Sequence, residues 1–195
     1  MNGTDDWKWR LTERLEPVLS QTDPRPALSA YHDMPFAIFR YEPQAEFELR
    51  EAVGLLATRL GAVGKRVTRI SLAELLDECL AEASVSYQDL AQAERSVGLD
   101  RTISTVHEIL SREVRLDDAV AAKVPEDAEA TKDIVFLLRA GALYSLYRTS
   151  AILDQLQGKL SVPAVLFYPG TLDGPAGLRF MGILAPEHNY RPKIF

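Results

Sequence analysis

Asp133-Ile134-Val135-Phe136-Leu137-Leu138 is apolar at every position after its first residue. The run is too short for an ordinary helix and lacks the polar alternation of a strand with one wet face, so it predicts a central strand of a parallel sheet, covered on both sides. Ala164-Val165-Leu166-Phe167-Tyr168 has the same character. Between the two, Leu143, Leu146, Tyr147, Ile152, Leu153 and Leu156 recur at spacings that predict a helix from Leu143 to Gln157, ahead of Gly158. A strand, a helix and a strand make the unit from which parallel sheets are built.

The same rhythm runs through the N-terminal part. Residues 36–41, FAIFRY, read as a strand, and Pro43 and Gln44 mark a break. From Glu46 onward Leu49, Val53, Leu56 and Leu60 follow one helical face, with Gly61 at the expected end. Residues 65–70, KRVTRI, form a second strand, and Ser71-Leu72-Ala73-Glu74 has the spacing of a reciprocal capping box before another apolar helix. Earlier still, Trp7, Leu11, Leu15 and Val18 define a helix that Thr4 or Asp5 can cap, with Pro17 weakening or ending its last turn. Residues 20–35, with three prolines, read as a connection.

Two stretches depart from the pattern. Between about 82 and 128 the strand signals vanish, and 86–96, 102–112 and 114–124 read as helices. After Tyr168, PGTLDGPAG holds enough proline and glycine for successive turns, Leu178–Ile183 reads as the last strand, and the tail promises little regular structure. The expected architecture is therefore α/β and three-layered: a mostly parallel sheet flanked by helices, forming a single domain over residues 1–195 with a helical insertion at 82–128. A degenerate P-loop-like fold remains open.

Composition bounds the function. The 195 residues are 47% hydrophobic and 26% charged, as in ordinary soluble domains. No segment reaches the length of apolar sequence that a membrane span needs, and the polar N-terminus has no signal-peptide core behind it, so a cytoplasmic protein is expected. The lone Cys79 sits on an apolar helix face as an inert core thiol. The net charge of -6 divides unevenly: ten acidic and ten basic residues before 74, fourteen against five in 74–130, and four against seven from 131 onward. The middle of the chain should repel phosphate backbones, whereas the C-terminal third can meet an acidic surface.

The strand ends are where a catalytic constellation would stand. The segment after FAIFRY is EPQAEFELRE, without the glycines and lysine of a phosphate-binding loop, and Gly61, Gly64 and Lys65 lie on the wrong side of a strand. His32, His107 and His188 are too scattered for a metal site. No Gly-x-Ser-x-Gly elbow occurs, and Ser145 falls within the expected helix. Neither a catalytic residue nor a cofactor is expected. Arg40, Arg69, Arg139 and Arg148 are the arginines weighed for binding; Arg139, directly after a buried strand, is placed to hold a carboxylate, a phosphate or a partner chain, or to tie the inserted lobe to the sheet. The C-terminal segments FYPGT, RFMGI and HNYRPKIF concentrate aromatic, glycine, proline and basic residues, and can either pack across their own domain or complete an interface.

Pro35–Tyr41, Asp133–Tyr144, Val165–Thr171, Leu178–Ile183 and Asn189–Phe195 together resemble the BrxB family of BREX bacteriophage-exclusion systems, over almost the whole chain. The resemblance implies a small, noncatalytic adaptor or assembly component of an antiviral defence complex. Its implied partner is a PglZ-like protein of alkaline-phosphatase-superfamily type, with other BREX components beside it. No catalytic residues carry over, so the candidate positions are contacts: Arg139, Tyr144, Tyr168, Thr171, Arg179, Tyr190, Arg191 and Lys193 join polar reach to the family-like segments. A divergent nucleotide-binding ATPase and an accessory DNA-binding module are the alternatives.

Overall fold

The computed structural model describes residues 6–28, 35–174, 177–188 and 191–195. Continuous apolar runs become the inner strands of the sheet. β1 (Phe36–Tyr41) and β3 (Asp133–Leu138) form where expected, and β2 (Arg66–Ser71) lies one residue later than read. β4 spans Ala164–Asp173, β5 Gly177–Phe180 and β6 Lys193–Ile194. The spatial order is β2-β3-β4-β1-β6, all parallel, with β5 antiparallel to the outer part of β4.

Side chains alternate across these strands, and the alternation divides the core in two. Ala37, Phe39, Tyr41, Ile134, Phe136, Val165 and Phe167 face the helices α1 (Trp7–Arg10), α2 (Glu16–Leu19), α3 (Arg25–Leu28) and α4 (Glu46–Ala62). Phe36, Ile38, Ile70, Val135, Leu137, Ala164 and Leu166 face α5 (Leu72–Glu82), α7 (Leu99–Glu108), α8 (Leu116–Ala122) and α9 (Thr149–Leu156). Three layers result, as the sequence predicts.

Helix ends follow local chemistry. Asp6 caps α1 by accepting the Lys8 amide at 3.0 Å, whereas Thr4 and Asp5 lie outside the described residues. Pro17 does not end the N-terminal helix: a π-helical turn over Leu11–Leu15 precedes it, and α2 continues to Leu19. Gly61 lies inside α4, and Gly64 reverses the chain instead. Its amide bonds to the Gly61 carbonyl at 3.0 Å and the Lys65 amide to the Leu60 carbonyl at 3.0 Å, a Schellman pair that places Gly64 at φ +86°. Ser71 accepts the Glu74 amide at 3.3 Å, but the reciprocal capping box forms at α6 (Tyr87–Val97), between Ser86 and Asp89.

The β2-to-β3 crossover contains α5, α6, α7 and α8. Val106, Leu110, Leu116 and Val120 from this stretch enter the same core as the sheet, while α6 has no buried residue. Asp117 and Cys79 are buried within it, and burial pushes the Cys79 thiol pKa up.

The helix expected from Leu143 begins six residues later. Arg139 at φ +59° and Ser145 at φ +61° are left-handed, which breaks the helical path and leaves a 3-10 turn over Ala140–Leu143 before α9 starts at Thr149. Pro169 to Asp173 do not form successive turns: Pro169 still pairs with Tyr41 of β1, and Gly170 to Asp173 extend β4 beyond its parallel partners and pair with β5. β5 stops at Phe180, where Met181 and Gly182 take positive φ, so the last strand is β6 beside β1. At Gly170 a Cβ would overlap the Arg179 carbonyl oxygen and lie 2.5 Å from the Tyr168 ring. Gly170→Ala is expected to force the hairpin from the sheet at a cost of about 2 kcal/mol, seen as a Tm lower by about 6 °C; an unchanged melting curve would show that the hairpin yields freely.

Candidate partner-docking site

In open parallel sheets, ligands gather beyond the carboxyl ends of the strands, where successive connections leave for opposite faces. Here the helix after β1 passes to one face and the segment after β3 to the other. A cleft of about 680 Å³ opens there, lined by Phe47, Arg50 and Glu51 of α4, Arg69 and Ser71 of β2, Glu74 of α5, Leu138 at the end of β3 and Arg139 just after it. A second hollow of about 270 Å³ shares Phe47, Arg50 and Arg139 and ends against Gly141, Pro169 and Met181.

Arg139 is the hinge of this site. Its left-handed backbone, φ +59° and ψ +36°, is strained for a residue with a Cβ. It turns the side chain toward α5, where Nη1 donates to Ser71 Oγ at 3.3 Å and Glu74 Oε1 at 3.4 Å. Both bonds are long. Across the cleft, Arg50 lies 6.0 Å from the centre of the Phe47 ring, and that ring is 76% exposed. Arg69 extends beside α4, with Nη1 3.8 Å from where a Cβ on Gly54 would stand. The cleft thus offers three guanidinium groups and one exposed aromatic ring, a pairing typical of residues that carry protein interfaces.

The predicted contact residues divide. Arg139 lines the cleft. Tyr144 is half-buried against the hairpin, its ring 6.3 Å from Phe180. Thr171 and Arg179 face each other across that hairpin, and Arg179 donates to Asp173 at 3.1 Å. Tyr168 is fully buried, with its ring 5.2 Å from Phe180, so it supports the hairpin from below and cannot reach a partner in this fold. Arg191 and Lys193 are exposed at the opposite edge of the sheet, where Lys193 Nζ lies 4.7 Å above the Phe195 ring. Tyr190 lies outside the described residues.

Phe47 and Arg50 are absent from the sequence-based set. Their signal was present: both stand off the Leu49-Val53-Leu56-Leu60 stripe, in the first turns of a helix that follows an inner strand. Of the other candidate arginines, Arg40 is buried and paired with Glu42 at 3.1 Å, and Arg148 reaches Glu187 only at 3.9 Å.

Among the described residues no group of three or more His, Cys, Asp or Glu side chains is placed to hold a metal ion. His107 stacks at 5.3 Å on Tyr147, and His188 stands 3.7 Å from Asp173. The β1–α4 connection is Glu42 and a 3-10 turn over Pro43–Ala45, which supplies no glycine-rich phosphate cradle. Among the described residues no helix is long and apolar enough to cross a membrane.

The parallel α/β sheet thus carries a mixed-charge, aromatic-edged cleft at its carboxyl end. The chain belongs to the BrxB family: the family model described as BREX protein BrxB matches residues 68–194. The BREX protein BrxB of Bacillus cereus (strain H3081.97) is 28% identical over 187 residues, which cover 93% of this chain and 95% of that protein. No solved structure gives a significant match.

Proposed function

We propose that this chain is a noncatalytic, cytoplasmic adaptor of a BREX-type phage-defence complex, and that it binds a PglZ-like protein through the cleft around Arg139. Family membership supports the system, and the cleft supports the mode of action. Its three arginines and exposed Phe47 suit protein recognition, while Glu51 and Glu74 among them disfavour a polyphosphate. The helices of 82–128 act as an acidic inserted lobe within one domain of residues 1–195, able to steer a basic partner and to discourage contact with DNA. A degenerate P-loop ancestry is compatible with the strand-to-helix step after β1, although that step lacks the glycines and lysine of a working loop.

The strain at Arg139 supplies a discriminating test. Glycine adopts φ +59° without cost, so Arg139→Gly should leave Tm unchanged or slightly raised while removing the guanidinium. Copurification and titration with the PglZ-like protein should then show affinity reduced by about tenfold or more, and Phe47→Ala should add to the loss. Wild-type affinity in the double variant would place the interface elsewhere. No binding by the unaltered chain would end the adaptor reading.

A further inference from the structure

β2 forms one edge of the sheet, and among the described residues no strand lies beyond it. The Arg66 amide bonds to the Lys132 carbonyl at 2.7 Å, in a ladder that pairs Arg66–Ser71 with Asp133–Leu138. Backbone groups alternate in direction along a strand, so the amides and carbonyls of Val67 and Arg69 turn outward. Sheet edges of this kind are commonly blunted by proline, bulges or a covering element. β2 runs for six residues with no proline or glycine.

Room lies on both faces of this edge. Helical spacing puts Arg50, Gly54, Ala57 and Gly61 on one side of α4. A Cβ on Gly61 would meet nothing within 4 Å, and one on Gly54 would meet only Arg69. On the α5 face a depression of about 230 Å³ is lined by Thr68, Ile70, Leu75, Glu78 and Lys123. Arg69, Ser71 and Glu74 border both this depression and the main cleft. A strand laid beside β2 would send alternate side chains into the two.

We propose that β2 accepts an extended segment of the partner protein as an added strand, with carboxylate side chains at alternate positions facing Arg69 and Arg50. The inference rests on the adaptor reading and names how the partner docks. Main-chain bonds to Val67 and Arg69 supply affinity, and alternate side chains set register. Carboxylates fit because Arg69 has no ion pair among the described residues, and a guanidinium holds a carboxylate through two parallel bonds. On the other face Glu78 and Lys123 already neutralise each other at 2.8 Å, so that row of the added strand needs no fixed charge. A second copy of this chain is a poorer occupant, since pairing β2 with itself would put the Arg69 side chains of the two copies on the same face with no carboxylate of β2 to offset them.

Hydrogen–deuterium exchange tests this on the full chain, free, with the PglZ-like protein, and with a synthetic peptide alternating glutamate and valine. The Val67 and Arg69 amides should slow by about tenfold or more on binding, with the Thr68 and Ile70 amides, already engaged with β3, as the internal reference. Arg69→Pro removes an outward amide while sparing the β3 ladder, and should weaken binding by about tenfold at a Tm near that of the wild type. Where the PglZ-like protein binds, that arm decides: unchanged exchange at Val67 and Arg69 overturns the added strand and leaves the adaptor reading standing. Where it does not bind, the adaptor reading fails and the peptide decides, with no slowing at those amides overturning the edge site. Slowing that depends only on the concentration of the free chain would mean self-pairing, and would overturn it as well.

Discussion

Phe195→Ala is expected to destabilise the fold by about 3–5 kcal/mol, lowering Tm by about 10 °C or more. The Phe195 ring is 8% exposed and lies in the core between the sheet and the N-terminal helices. Its backbone closes the β6 edge: the Phe195 amide donates to the Ile38 carbonyl at 2.8 Å, and its carbonyl accepts from the Arg40 amide at 3.1 Å. Arg10, itself buried, donates through Nη1 to both the Phe195 and Arg40 carbonyls at 2.8 Å, and its guanidinium carbon lies 5.5 Å from the centre of the Phe39 ring. Removing the ring opens a cavity beside a buried cation whose acceptor is held in place by that ring. Phe195→Leu, which keeps most of the apolar volume, should cost much less. A thermal or denaturant unfolding series on the two variants checks this. Of the two roles left open for the tail, the packing of Lys193–Phe195 favours the intramolecular one. Loss of partner binding on truncating those residues would accordingly track loss of folding, and a Phe195→Ala protein as stable as wild type would reverse that assignment.

What the sequence revealed depended on how local the deciding force was. Phe36–Tyr41 and Asp133–Leu138 were legible because burial on both faces leaves one signature, continuous apolarity. The α4 face was legible because Leu49, Val53, Leu56 and Leu60 all turn toward one sheet. The error at Leu143–Arg148 has a different origin. The residues there keep helical periodicity, but tertiary contact sets the backbone, with Gly141 seated against Met181 and Pro169 of the hairpin. The same hairpin hid the extension of β4: proline and glycine usually announce turns, yet Pro169 pairs opposite Tyr41 and Gly170 is required by the close approach of Arg179. The cleft was half legible. Arg139 follows a strand that could be read, whereas its neighbours Arg50 and Arg69 join it only through a strand order that no local pattern encodes.

Asp117→Asn should lower stability by about 2–3 kcal/mol at neutral pH, and that difference should disappear in acid. Asp117 is fully buried in the first turn of α8, where Arg115 donates to it at 2.9 Å and Lys159, from the segment after α9, also pairs with it. Burial alone would raise its pKa, but the hydrogen bonds from Arg115 and Lys159 outweigh that and hold the carboxyl below the usual carboxylate range. A carboxyl depressed in the folded state favours folding at pH values above its unfolded pKa, about 3.9, and loses that contribution as pH falls through the lower folded value. Wild type should therefore exceed the variant by the full margin at pH 7, and the two unfolding curves should converge below about pH 4 as the acid protonates Asp117. Lys159 retains Asp118 as a partner in the variant, which keeps the loss below that of a wholly stranded cation. The consequence reaches beyond one ion pair, because Arg115 and Asp117 open α8 while Lys159 leads into β4. The variant should also show faster amide exchange through α7 and α8 at neutral pH with β1 and β4 unchanged. A stability gap that persists undiminished at low pH would show that shape at position 117, not its charge, ties the helical segment to the sheet.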